Sequence, residues 1–203
     1  MGKEKYLSFT QKSLADESSR ADVSGGVCLG YAIEFIKYFK KYGSSDSVAK
    51  GFGLTEGSGL KESLLDMGEK GISKQYEGED GDTTNLFGKK RELELMGFTV
   101  TVGKDTGADK TKTVNEIKSS GRFAFHLLYF DVYGSSSSKA GYHIIALKGN
   151  GWEGAGFNRI FYAMDPNLGL WRISSTDSLG TWLWSDIKAY YNPFNMIVYT
   201  ITE

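Results

Sequence analysis

Between residues 27 and 42 the apolar positions recur at helical spacing. Cys28, Ala32, Phe35, Ile36 and Phe39 share one stripe, while Glu34, Lys37 and Lys41 face away from it. Ser24 with Gly25 and Gly26 supplies a start signal, and Gly43 a stop. The pattern predicts a long amphipathic helix with Cys28 in its first turn. Two further helices are expected, at 59–67 with Leu60, Leu64 and Leu65, and at 85–96 with Leu86, Phe87, Leu93 and Met96. A fourth starts near Thr113, which has capping-box spacing to Glu116. Residues 77–82 read as an acidic loop, and 1–26 as a polar, serine-rich lead-in.

The second half changes period. Alternating and apolar runs predict strands at 123–130, 142–148, 159–165, 170–174 and 196–202. A serine loop lies at 135–138, a turn at 166–169 and a helix at 179–191. Helices first and an antiparallel sheet afterwards make an α+β fold. The expected organisation is an irregular lead-in over 1–21 and one domain over 22–203. That domain divides into a helical lobe of about 22–121 and a sheet lobe of about 122–203.

Composition narrows the function classes. The chain has 203 residues, enough for a core without covalent staples, and a formal charge of −1. That balance gives no basic field for nucleic acid or an anionic membrane. No apolar run approaches membrane-spanning length, and the first residues lack signal-peptide and myristoylation patterns. This fits a cytoplasmic protein, one exported without a cleaved leader, or a domain of a longer chain. One cysteine and two histidines exclude an internal disulfide and an all-cysteine zinc cage, so neither metal nor cofactor is expected.

Several motif matches carry no chemistry. Residues 149–154 spell G-x-G-x-x-G, but a strand follows where a dinucleotide site needs a helix. Gly88-Lys89-Lys90 lacks the rest of a phosphate loop, and 77–82 lacks the closing glutamate of a calcium loop. Lys89, Lys90 and Arg91 read as the wet face of a helix.

Cys28, His143 and Asp165 remain. A nucleophilic cysteine needs a lowered pKa, an imidazole partner and a group that orients the imidazole. Free N–H groups in the first turn of a helix favour a thiolate, and Gly25-Gly26 would leave the sulfur accessible. The plain alternative is that Cys28 continues the apolar stripe as a core residue. Gly154 lies midway between His143 and Asp165 in a glycine-rich connection. A symmetric hairpin would therefore oppose the two directly, with Cβ atoms about 4.5–5.5 Å apart on one face. A one-residue slip would separate them. His126, inside a strand with no evident acidic partner, reads as structural.

The segments Gly26-Val-Cys-Leu-Gly30, Gly141-Tyr-His-Ile-Ile-Ala146 and Met164-Asp-Pro-Asn-Leu-Gly169, in that order, resemble the YopT-type bacterial effector cysteine proteases of the papain-like clan. The resemblance covers about residues 20–203. It implies an α+β papain-like fold with the Cys helix packed against the sheet. It also implies Cys28 as nucleophile, His143 as general base and acid, and Asp165 as orienting carboxylate. The implied partner is a protein substrate of a host cell, reached by secretion into that cell. Papain-like enzymes usually carry Gln or Asn shortly before the cysteine as an oxyanion donor. Here that stretch has neither. The Cys28 backbone N–H and Ser24 are the candidate donors, because ionised Asp22 cannot donate and Gln11 would need a long fold-back.

The triad chemistry is shared by other acyl-transfer enzymes, namely deamidases, transglutaminases and N-acetyltransferases. A non-catalytic binding module is the remaining reading.

Overall fold

An eight-stranded antiparallel sheet organises the computed structural model, which describes residues 2–7, 28–42, 93–101, 103–121, 123–133, 139–153 and 158–203. The elements are β1 (Lys3–Leu7), α1 (Cys28–Tyr42), β2 (Thr99–Val100), β3 (Lys104–Asp105), α2 (Lys110–Ser119), β4 (Phe125–Tyr133), β5 (Lys139–Glu153), β6 (Asn158–Asp165), β7 (Gly169–Ile173), α3 (Thr176–Trp182), a π-helical turn (Leu183–Ile187), α4 (Lys188–Tyr191) and β8 (Pro193–Thr202). The strand order is β1-β7-β6-β5-β4-β8-β2, and β3 also pairs with β8.

Strand parity sends side chains into two apolar layers. On one face α1 lays Ile33, Phe35, Ile36 and Phe39 against Phe125, Leu127, Ile144, Ala146, Tyr162 and Met164. Each of those helix side chains is at most 3% exposed, and burying one contributes about 1.5–3 kcal/mol. On the other face Leu128, Phe130, Ile145, Leu147, Phe161 and Ala163 meet Ile117 of α2, and Leu179, Trp182, Leu183 and Ile187 after β7. The sheet is thus a middle layer with helices on both sides. No helix among the described residues is long and apolar enough to cross a membrane.

Four local expectations change. The lead-in is not irregular throughout, because residues 3–7 form an edge strand antiparallel to β7. Lys5 lies over the Trp171 ring at 4.8 Å, and Ser174 donates to the Gly2 carbonyl. Charged residues suit a strand whose outer edge is solvated, so the sequence looks like a loop. With β2 and β3, this strand brings residues from the half read as helical into the sheet. Helix α2 is capped by Asp109, which accepts from Lys112 N at 2.8 Å, rather than by Thr113. Thr113 is buried and donates to the Asp109 carbonyl.

The helix expected at 179–191 begins earlier, capped by Ser175, and a π-turn interrupts it. Finally, β5 and β6 pair as Ala146↔Met164 and Leu147↔Ala163, with a bulge between Asn150 and Trp152. The ladder is offset by two residues from a hairpin centred on Gly154. The helices expected at 59–67 and over most of 85–96, the acidic loop and the serine loop lie outside the described residues.

Candidate active site

The register offset decides whether His143 and Asp165 can meet. They are not directly opposed, as a symmetric hairpin would have them. Continuing the ladder puts Asp165 level with Ile145, so His143 is its diagonal neighbour. An offset of two preserves the face, and diagonal partners are within reach of long side chains. His143 Nε2 lies 3.1 Å from Asp165 Oδ1. Asp165 sits at the end of β6, where the turn at 166–168 folds back onto its carboxylate. The backbone N–H groups of Asn167 and Leu168 donate to Oδ1 at 2.8 and 3.2 Å. Gly169 closes that turn at φ 103°, a conformation a side chain would strain.

Cys28 is the first residue of α1, and its helix packs on the face opposite to the one His143 points into. They meet because the β5–β6 ladder begins only at Ala146↔Met164. Among the described residues the stretch of β5 before it pairs with β4 alone, and the start of α1 reaches His143 beside it. With Nε2 engaged by Asp165, Nδ1 is the nitrogen left for the thiol.

Cys28, His143 and Asp165 are all at most 3% exposed. The expectation of an accessible sulfur is therefore not what the described residues display: Cys28 lies in the apolar layer with Leu29 and Ile144. The apolar-stripe reading and the position beside His143 hold together, since the same residue begins both the stripe and the helix.

Electrostatics separate this imidazole from an ordinary one. Burial pulls the His143 pKa down, but the Asp165 carboxylate, its hydrogen bond and the Cys28 sulfur outweigh that and bring it up to about 9. His126 is also buried, and its pKa falls to about 3 through burial and then the charges of Arg159 and Lys148. Its Nδ1 lies 3.4 Å from the Thr200 hydroxyl.

Tyr191, which the sequence did not single out, stacks on the His143 ring with centroids 4.4 Å apart and donates to Asp165 Oδ1 at 2.8 Å. The only cue was its place at the end of a helix, before Asn192-Pro193. Cys28 is the first described residue of α1, and its backbone N–H is the oxyanion donor expected from the sequence. Ser24, the other candidate donor, lies outside the described residues. No group of His, Cys, Asp or Glu among the described residues is arranged to hold a metal.

No protein-family model and no curated protein sequence matches the chain. Among solved structures, the fold resembles the crystal structure of the Pseudomonas avirulence protein AvrPphB. The TM-score is 0.58 at 17% sequence identity, over 94% of this chain and 100% of that one. The fold is α+β and papain-like. A helix that opens on the cysteine rests against an antiparallel sheet that carries the histidine and the aspartate.

Proposed function

We propose that the chain is a cysteine endopeptidase that hydrolyses a peptide bond in a specific protein of a host cell. Cys28 is the nucleophile, His143 the general base and acid, and Asp165 the group that orients the imidazole. The observation that carries this reading is the 3.1 Å contact between His143 Nε2 and Asp165 Oδ1, with Cys28 beside the same ring.

His143 takes the thiol proton through Nδ1, and the imidazolium is held by Asp165. The thiolate sulfur adds to the scissile carbonyl, and the oxyanion is met by the Cys28 N–H. Collapse breaks the C–N bond, and His143 gives its proton to the leaving amine. Water, deprotonated by His143, then attacks the thioester, and the acid leaves with Cys28 restored. Burial of the three side chains favours this chemistry, because fixed charges act more strongly where water is excluded. Action inside a host cell is supported by the family resemblance and by the fold's likeness to an avirulence protein.

The test exposes host extract to the intact chain and to Cys28→Ala, and reads new protein N-termini by mass spectrometry. Termini that require Cys28 are expected. A Cys28-dependent mass change of about one unit without new termini would assign deamidation instead, since both pass through an acyl-enzyme. A thiol inert to iodoacetamide at every pH until unfolding would remove all the acyl-transfer readings.

A further inference from the structure

Asp165 Oδ1 is crowded. It meets His143 Nε2, the Tyr191 hydroxyl and the backbone N–H groups of Asn167 and Leu168. Oδ2 of the same carboxylate is buried with no hydrogen-bond partner among the described residues. The Tyr191 ring lies 4.4 Å from the imidazole at an interplanar angle of 23°, and Phe130 meets the imidazole edge-on at 5.5 Å.

We propose that Tyr191 is a positioning residue of this site: its hydroxyl shares Asp165 Oδ1 with His143, and its ring holds the imidazole in the plane that turns Nδ1 toward Cys28. The proposal rests on the peptidase reading for its catalytic meaning and on geometry for its physical content.

The two halves of Tyr191 act in opposite directions. Each donor on a carboxylate oxygen takes part of its charge, so the phenol tempers the pull of Asp165 on His143. An imidazolium gripped too tightly would be slow to give its proton to a leaving amine. The ring does the reverse. Its π face attracts an imidazolium and keeps water from that side. Burial and then Asp165 hold the Tyr191 pKa far above the ordinary phenol range, so it stays a donor at any working pH. Among the described residues the titratable groups facing His143 are Asp165 from β6, Cys28 from α1 and Tyr191 from α4, and Tyr190 packs beside Tyr191.

Tyr191→Phe keeps the ring and removes the donor, whereas Tyr191→Leu removes both. Imidazole NMR titration reads the result directly, because the chain has two histidines and His143→Gln identifies the signal. Tyr191→Phe should raise the His143 pKa by about 0.5 or more, and the alkaline limb of kcat/KM should move with it. Tyr191→Leu, which loses the ring as well, should titrate below Tyr191→Phe. An unmoved His143 titration in Tyr191→Phe, or a Tyr191→Leu value no lower than that of Tyr191→Phe, would overturn the proposal. Tyr191→Phe decides the matter even if Tyr191→Leu fails to fold. The titration needs no substrate. The expected order of the two variants without Cys28-dependent cleavage would therefore retire the peptidase reading while the placement of Tyr191 stands.

Discussion

His126 and His143 sit near opposite ends of one β4–β5 ladder, His126 across from Leu147 and His143 across from Phe130. Both point to the same face, and neither is more than 3% exposed. Their pKa values nevertheless lie at about 3 and about 9. Burial depresses both, so burial is not what distinguishes them. The difference is the company: a carboxylate and a sulfur beside His143, two cations near His126. A buried imidazole without an anion stays neutral and inert to protons. A buried imidazole with one becomes a proton carrier.

The largest effect on that contrast should come from Asp165→Asn, which removes the charge and keeps an acceptor. With desolvation unopposed by a carboxylate, the His143 pKa should fall from about 9 to below 6.5 in an NMR titration. A value that stays above 6.5 would mean that Asp165 is not the dominant partner. The converse exchange is Thr200→Asp, placing a carboxylate beside the other histidine, whose Nδ1 lies 3.4 Å from the Thr200 hydroxyl. The His126 pKa should climb from about 3 by about two units, and His143 should not move. If His126 stays at its low value, the cations Arg159 and Lys148 rule the site.

The smallest effect is on stability. His126 is neutral when folded and takes a proton more readily when unfolded. Its contribution is present above pH 6.5 and lost as pH falls toward 3. His143 has the opposite sign: its contribution is complete below pH 6.5 and lost as pH rises through 9. Melting temperature against pH should therefore fall on both sides of an optimum near 6.5, by a few degrees. His126→Gln should flatten the acid side and His143→Gln the alkaline side. The same slope in both variants would break the assignment.

Much of this was legible in the sequence, for reasons that differ from residue to residue. The stripe through Cys28, Phe35 and Phe39 announced α1, because an amphipathic helix must bury one face. The runs after residue 123 announced β4 to β8 for the same reason at period two. Residue type and a hairpin centred on Gly154 single out His143 and Asp165, with the register two residues off. The two still meet because the offset is even, and parity, not register, decides which face a side chain takes. What stayed hidden had no periodic signal. β1 is a polar edge strand, Asp109 displaced Thr113 as a cap, and Tyr191 reaches the site through the path of a helix. The bulge at Asn150/Trp152 takes the offset from three residues beside the connection to two at the site and so restores the parity, and a bulge leaves no fixed mark in composition.

The π-turn at Leu183–Ile187 gives that last region an unusual dependence on length. It accommodates one residue more than an α-helical path would, and one residue is about 100° of rotation about a helix axis. The direction in which Tyr191 leaves α4 is therefore set by how many residues precede it as much as by what they are. This segment should accept exchanges among apolar side chains and resist loss or gain of a single position. Relatives that differ here by one residue would carry the same aromatic turned away from the histidine.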